Sequence, residues 1–112
     1  MCIFCQIASG EIPGERLYQD DEIVAFRDID PQAPVHILIV PRKHIAALTE
    51  MKAEDMPLLG KMAGIAKKLA EEEDISEKGY RITVNCGPEG GQVVPHLHMH
   101  LLGGRQLSDQ MG

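Results

Sequence analysis

Five histidines occur in the 112 residues, and three of them fall within His96-Leu97-His98-Met99-His100. Along an extended strand, successive side chains point to opposite faces. Strict alternation therefore puts His96, His98 and His100 on one face and Leu97, Met99 and Leu101 on the other. The apolar face seats the strand on a core, and the imidazole face is expected to look into solvent or a cleft. Same-face neighbours lie about 6.5–7 Å apart, close enough for two rings to act on one small group. Two chemistries are open to such an array. Three imidazoles can hold a catalytic zinc that activates water. Alternatively, one ring is a nucleophile and its neighbour a proton donor. A neutral imidazole is a competent nucleophile near pH 7, because its ordinary pKa is about 6.5.

The preceding segment, Asn85-Cys86-Gly87-Pro88-Glu89-Gly90-Gly91-Gln92, reads as the loop that serves this face. Gly90-Gly91 permits close backbone approach, and consecutive N–H groups in such a turn can form an anion nest. Asn85 and Gln92 add amide donors. A phosphate cradle beside the histidines is the expectation.

The elements that must position these residues are legible as pattern. Ile3 to Ser9 reads as a short helix ended by Gly10 and Pro13. Leu17 to Gln19, Ile23 to Arg27, Val35 to Val40, Tyr80 to Val84 and Leu97 to Leu102 read as strands, and Lys43 to Thr49 as a short helical turn. Glu54 to Glu73 is the one long helix. Leu58, Met62, Ile65 and Leu69 recur on it at steps of four, three and four, and Pro57 suits its first turn. Gly60 and Gly64 lie one helical turn apart at about 1 kcal/mol each relative to Ala, which suits close approach by a second helix. Glu71 to Asp74 reads as a solvated acidic run. Strands, one long helix, then strands again imply an α+β fold with a mainly antiparallel sheet, expected as one domain over residues 1–112.

Composition narrows the function. Eleven basic against seventeen acidic residues give a net charge of −6, so a nucleic-acid polymer is not an expected partner. Phe4, Tyr18, Phe26 and Tyr80 are the only aromatic residues, too few for a base-stacking platform. No apolar run reaches the roughly 20 residues that span a bilayer, and the N-terminus lacks a signal-peptide pattern. Three cysteines in such a chain fit reduced thiols and a cytoplasmic setting.

The pattern His-φ-His-φ-His-φ-φ after Gly90-Gly91-Gln92 resembles the signature of the histidine triad (HIT) family. The resemblance extends through Ala25-Phe26-Arg27-Asp28-Ile29, Pro31-Gln32-Ala33-Pro34, His36 in Pro-Val-His-Ile-Leu-Ile-Val-Pro, Gly79-Tyr80-Arg81, Asn85 and Leu102-Gly103-Gly104-Arg105. It is strongest to the nucleotide-binding, purine nucleoside phosphoramidase branch. It implies a HIT-like fold of about five antiparallel strands, dimerising through the long helix and the sheet edge. It also implies hydrolysis or nucleotidyl transfer at the α-phosphorus of purine nucleoside phosphoramidates or related nucleoside phosphates, with no cofactor needed for the chemistry. His98 would carry the nucleotidyl group, His100 would donate a hydrogen bond, and His36 would orient the triad. Asn85 and backbone N–H groups near Gly91, Gln92, Val93 and Val94 would stabilise the phosphoryl oxygens. Asp28 would accept ribose hydroxyls, with Ile29 nearby, and Phe4, Ile7, Phe26 and Leu38 would line the base slot. A non-catalytic purine-nucleotide adaptor and a hydrolase with zinc on the triad are the alternatives.

Three departures stand out. Val93 occupies a place where the branch often has a small hydroxyl residue. Pro95 stands where an aromatic is common, and the tail Gln106 to Gly112 lacks an aromatic end. Cys2-Ile3-Phe4-Cys5 has no thioredoxin-like context for redox work. Similarity to zinc-binding relatives implies that Cys2, Cys5, His44 and His96 form a structural Cys₂His₂ zinc site.

Overall fold

The computed structural model describes residues 2–110; Met1 and the last two residues of the expected 1–112 domain and its tail lie outside the described residues. The chain runs α1 (Ile3–Ser9), β1 (Arg16–Gln19), β2 (Ile23–Arg27), β3 (Val35–Pro41), α2 (Pro57–Glu72), β4 (Tyr80–Thr83) and β5 (Met99–Gly103). Of the segment expected as a helical turn, Lys43 to Thr49, only Leu48 and Thr49 fall in a 3₁₀ turn, Leu48–Glu50, and a second 3₁₀ turn, Ala53–Asp55, lies beyond it. The strands form one sheet in the order β1-β2-β3-β5-β4, antiparallel throughout. This is the α+β arrangement that the pattern predicts.

Each face of the sheet has its own cover. Ile23, Ala25, Val35, Ile37, Ile39, Met99 and Leu101 pack with Met62, Ile65, Ala66 and Leu69 of α2. Val24, Phe26, Leu38 and Val40 pack on the other side with Phe4, Ile7 and Ala8 of α1. Strand β3 is central and buried at every position, which is why its stretch Ile37 to Val40 is a continuous apolar run instead of an alternation. Helix α2 begins with Pro57 in its first turn, where the missing N–H removes no helical bond. At its other end Glu73 grips Arg27 of β2 through two hydrogen bonds of 2.9 and 3.1 Å. One member of the acidic run is thus a strut between helix and sheet, not part of a solvated face.

Seven residues make a helix too short to persist alone, so α1 depends on what holds it. Gly10 closes it in the left-handed region at φ 90°. The guanidinium of Arg16 donates to the Ile7 carbonyl and that of Arg42 to the Ala8 carbonyl, both at 2.7 Å. These bonds satisfy carbonyls that a helix end leaves open.

The largest departure from expectation is the start of β5. Ladder pairing begins with Ile39 opposite Met99, so His96 and His98 precede the strand instead of lying in it. Their backbone is held by other means: Leu97 N–H donates to the Ile45 carbonyl at 2.7 Å, and His96 N–H to the Val94 carbonyl at 2.8 Å.

Candidate active site

Although the strand starts late, alternation persists through the histidine segment. Leu97, Met99 and Leu101 all join the core under α2. The rings of His96 and His98 lie on the opposite side against Phe4, at centroid distances of 6.1 and 5.0 Å. His98 and His100 are 4.9 Å apart. The face is not as open as the pattern suggests. His96 is completely covered and His98 is only 6% exposed, because α1 lays Phe4 over them.

Hydrogen bonds fix the proton on each ring. Gln32 N–H donates to His36 Nδ1 at 3.0 Å, so the His36 proton sits on Nε2. That nitrogen donates to His100 Nδ1 at 2.8 Å, which leaves the His100 proton on its outer Nε2. His98 Nδ1 faces the His96 carbonyl at 2.7 Å. A carbonyl can only accept, so His98 carries its proton on Nδ1 and a lone pair on Nε2. No fully buried side-chain nitrogen or oxygen among the described residues lacks a partner. The Nε2 of His98, for which there is none among them, therefore reaches the surface. Burial holds His100 down at about 4, with His98 and His36 pushing the same way and Asp28 opposing. Burial lowers His36 as well, against the carboxylates of Asp28 and Asp30. Both rings are neutral near pH 7, as the bonding pattern requires.

The loop before the triad departs from the anion nest expected of it. Gly90 N–H and Gln92 N–H turn inward to the Gly87 carbonyl, and Gly91 N–H to that of Pro88. The Gln92 side chain is fully engaged. Its oxygen accepts from Gly87 N–H at 2.9 Å, and its nitrogen donates to the carbonyls of Ala46 at 2.7 Å and Val94 at 3.0 Å. Asn85 donates to the Gly90 carbonyl at 2.7 Å. Gly91 and Gln92 thus stitch the loop shut and do not cradle an anion with these N–H groups. A side chain at Gly90 would bring a Cβ within 2.3 Å of the Cys86 carbonyl oxygen, so glycine is required there by packing. Val93, 89% exposed, and Val94 follow the stitched turn.

Asp28 places Oδ2 at 3.5 Å from His36 Nε2 and accepts from Asp30 N–H through Oδ1 at 2.8 Å. Ile29 beside it is 94% exposed. Phe4, Ile7, Phe26 and Leu38, expected to line the base slot, gather in one core cluster, and each is at least nine-tenths buried. Two cavities lie elsewhere. One of about 690 Å³ sits between Lys78, Arg81 and Arg105 near the tail. One of about 540 Å³ opens beside Cys2, Ile3, His44 and Val93 to Pro95. Neither is lined by His98 or His100.

Cys2, Cys5, His44 and His96 converge, with one ligand atom from each lying within 4.8 Å of all the others. The separations are 3.3 Å for Cys2 Sγ to His96 Nδ1, 3.3 Å for Cys5 Sγ to His44 Nδ1, 3.4 Å for Cys5 Sγ to His96 Nδ1 and 3.2 Å between the two Nδ1 atoms. A tetrahedron with zinc–nitrogen bonds of about 2.0–2.1 Å and zinc–sulfur bonds of about 2.3 Å has edges of about 3.3–3.8 Å. The donor set therefore fits zinc in both identity and span. His96 Nε2 lies 2.8 Å from the Pro41 carbonyl, which puts its proton there and turns the Nδ1 lone pair toward the thiols. Pro41 and Gln32, whose backbone atoms orient two rings, carry no side-chain signal by which the sequence could have revealed them.

Comparison with known proteins shows the family. Residues 9–107 match the HIT domain. The chain belongs to the HIT family. It is 50% identical over 109 residues to the purine nucleoside phosphoramidase of Escherichia coli K12, covering 97% of this chain and 92% of that protein. It is 52% identical over 106 residues to an uncharacterized HIT-like protein of Synechococcus elongatus, covering 95% and 92%. The crystal structure of a HIT family hydrolase from Legionella pneumophila superposes with a TM-score of 0.97 at 51% identity and full coverage of both chains. A histidine triad protein from Clostridium difficile gives 0.95 at 43%, covering 98% and 96%. The HIT match begins at residue 9, so Phe4, Ile7 and both cysteines of the tetrad lie before it.

Proposed function

We propose that this HIT-type hydrolase cleaves purine nucleoside phosphoramidates, or related nucleoside phosphates, at the α-phosphorus through a covalent nucleotidyl-histidine on His98. The observation that carries the reading is the bond from His98 Nδ1 to the His96 carbonyl at 2.7 Å. It leaves the His98 Nε2 lone pair outermost, beside the outward N–H of His100. In the first step Nε2 of His98 attacks the α-phosphorus, and the phosphorus–nitrogen bond of the substrate breaks. The His100 Nε2–H donates a hydrogen bond to the departing amine, which takes its proton from solvent. Water then attacks the phosphorus, the bond to His98 breaks so that its Nε2 lone pair is restored, and the water proton is released to solvent. His36 holds His100 in the tautomer that presents this N–H. Asp28 takes ribose hydroxyls, and Val93 and Val94 offer backbone N–H groups to the phosphoryl oxygens.

Zinc bound by Cys2, Cys5, His44 and His96 would supply structural cross-linking, not a Lewis acid at the phosphate. The alternative with zinc on the triad finds little support, because His96 Nδ1 is turned to the thiols and both His98 Nδ1 and His100 Nδ1 are bonded elsewhere. Gly60 and Gly64 are exposed, and a Cβ added at either would meet no atom within 4 Å. Together with exposed Tyr80 and Ile82 on edge strand β4, they support a homodimer through α2 and β4. No helix among the described residues is long and apolar enough to cross a membrane. Free thiols and a nucleotide substrate favour the cytoplasm. The kinetic test uses adenosine 5′-phosphoramidate. His98→Ala is expected to lower kcat by at least about a thousandfold with AMP affinity within a few fold, whereas turnover near wild type in that variant would overturn the reading.

A further inference from the structure

The metal tetrad and the nucleophile share a residue. His96 supplies a ring nitrogen to the tetrad and its main-chain carbonyl to His98 Nδ1. The ladder of β5 begins only at Met99, so ladder bonds do not fix that carbonyl. Two contacts fix it: the Leu97 N–H of the same peptide plane, bonded to the Ile45 carbonyl, and the His96 ring, completely buried and held at both nitrogens, Nε2 by the Pro41 carbonyl and Nδ1 by the tetrad. Phe4 gives a second link. It lies between Cys2 and Cys5 in sequence, and its ring meets those of His98 and His96 edge-on. Helix α1 is tied at its C-terminal end by Arg16 and Arg42. Its N-terminal end has no side-chain cap and is joined to the rest of the site through the two thiols.

We propose that the Cys2–Cys5–His44–His96 tetrad, closed on zinc, positions His98: it clamps the carbonyl that selects the tautomer of the nucleophile and the Phe4 ring that sets its tilt. His96 and Phe4 are then positioning residues, and the tetrad controls the rate of phosphorus attack more than nucleotide affinity. This rests on the nucleophile and zinc readings above. An unclamped imidazole samples both neutral tautomers, and the one with its proton on Nε2 has no lone pair to direct at phosphorus.

The test compares zinc-loaded with chelator-stripped full-length protein and with His44→Ala, which removes an exposed ligand and leaves both cysteines and His96. Nitrogen-15 NMR of the ring nitrogens reads the His98 tautomer. A single-turnover quench with adenosine 5′-phosphoramidate reads the rate of adduct formation, and titration with AMP reads affinity. With zinc, His98 is expected to show the Nδ1–H form alone. Without it, both forms appear, the adduct rate falls at least tenfold, the AMP Kd moves less than threefold, and added zinc restores all three. If stripped protein unfolds, folded His44→Ala at limiting and saturating zinc makes the same comparison. An unchanged tautomer and adduct rate across these states would overturn the proposal, as would a protein that takes up no zinc. Absence of adduct in every form would refute the nucleophile while the tautomer comparison still decides the positioning.

Discussion

At the scale of single residues, the site is a set of four imidazoles whose protons are assigned by fixed partners. His36 and His100 are kept neutral by burial, and this has a thermodynamic consequence. His100 titrates at about 4 in the folded chain and near 6.5 when unfolded. Between those values the unfolded chain binds more protons, so stability falls as pH drops from about 6.5 to 4 and is indifferent to this group above 6.5. The expected loss from His100 is on the order of 2–3 kcal/mol across that window. Urea denaturation of wild type and His100→Gln at pH 7 and pH 4.5 checks it: the variant's stability should fall less. Val93 is the other residue with a sharp expectation. Its side chain stands in solvent beside the proposed phosphate donors, so Val93→Ser adds a hydroxyl without disturbing the core. Turnover of a phosphoramidate should rise several fold, with stability within about 0.5 kcal/mol of wild type. Steady-state kinetics and thermal melts read both.

Among the elements, the loop from Asn85 to Gln92 carries the clearest prediction. Gln92 ties three backbone groups of three segments together. Gln92→Ala should cost about 1–3 kcal/mol of stability and lower kcat/KM, with both visible in parallel denaturation and kinetic measurements. The same loop marks where sequence pattern stops informing. Gly90-Gly91 signals a tight turn, and a tight turn is present. Whether its N–H groups point outward or inward depends on which carbonyls close it, and here Gly87 and Pro88 close it inward. Strand β3 and helix α2 were legible because burial on both faces and a stripe at helical spacing leave direct marks on residue type. The late start of β5 was not, because His96 to His98 satisfy their backbone through Ile45 and Val94, partners that any sequence could supply. The alternation of the triad survived this because Leu97 still had a core to enter.

For the whole molecule, a sheet with β4 at one edge and a helix with open glycines leaves a surface that a second copy would complete. Light scattering after gel filtration should give twice the chain mass, and Gly64→Arg should reduce it to a monomer by placing a charged side chain where α2 would meet its partner. Retained doubling in that variant would move the interface away from α2. The net charge of −6 leaves the anionic substrate to be drawn by local donors alone, since the overall field repels it. Recognition must then be short-ranged. The central claim is a bond between His98 and phosphorus. It is tested most directly by quenching the protein with adenosine 5′-phosphoramidate and mapping the modified peptide by mass. An acid-labile adenylyl group on the peptide containing His98, absent from His98→Ala, is the predicted result; brisk turnover with no adduct at any time point would contradict it.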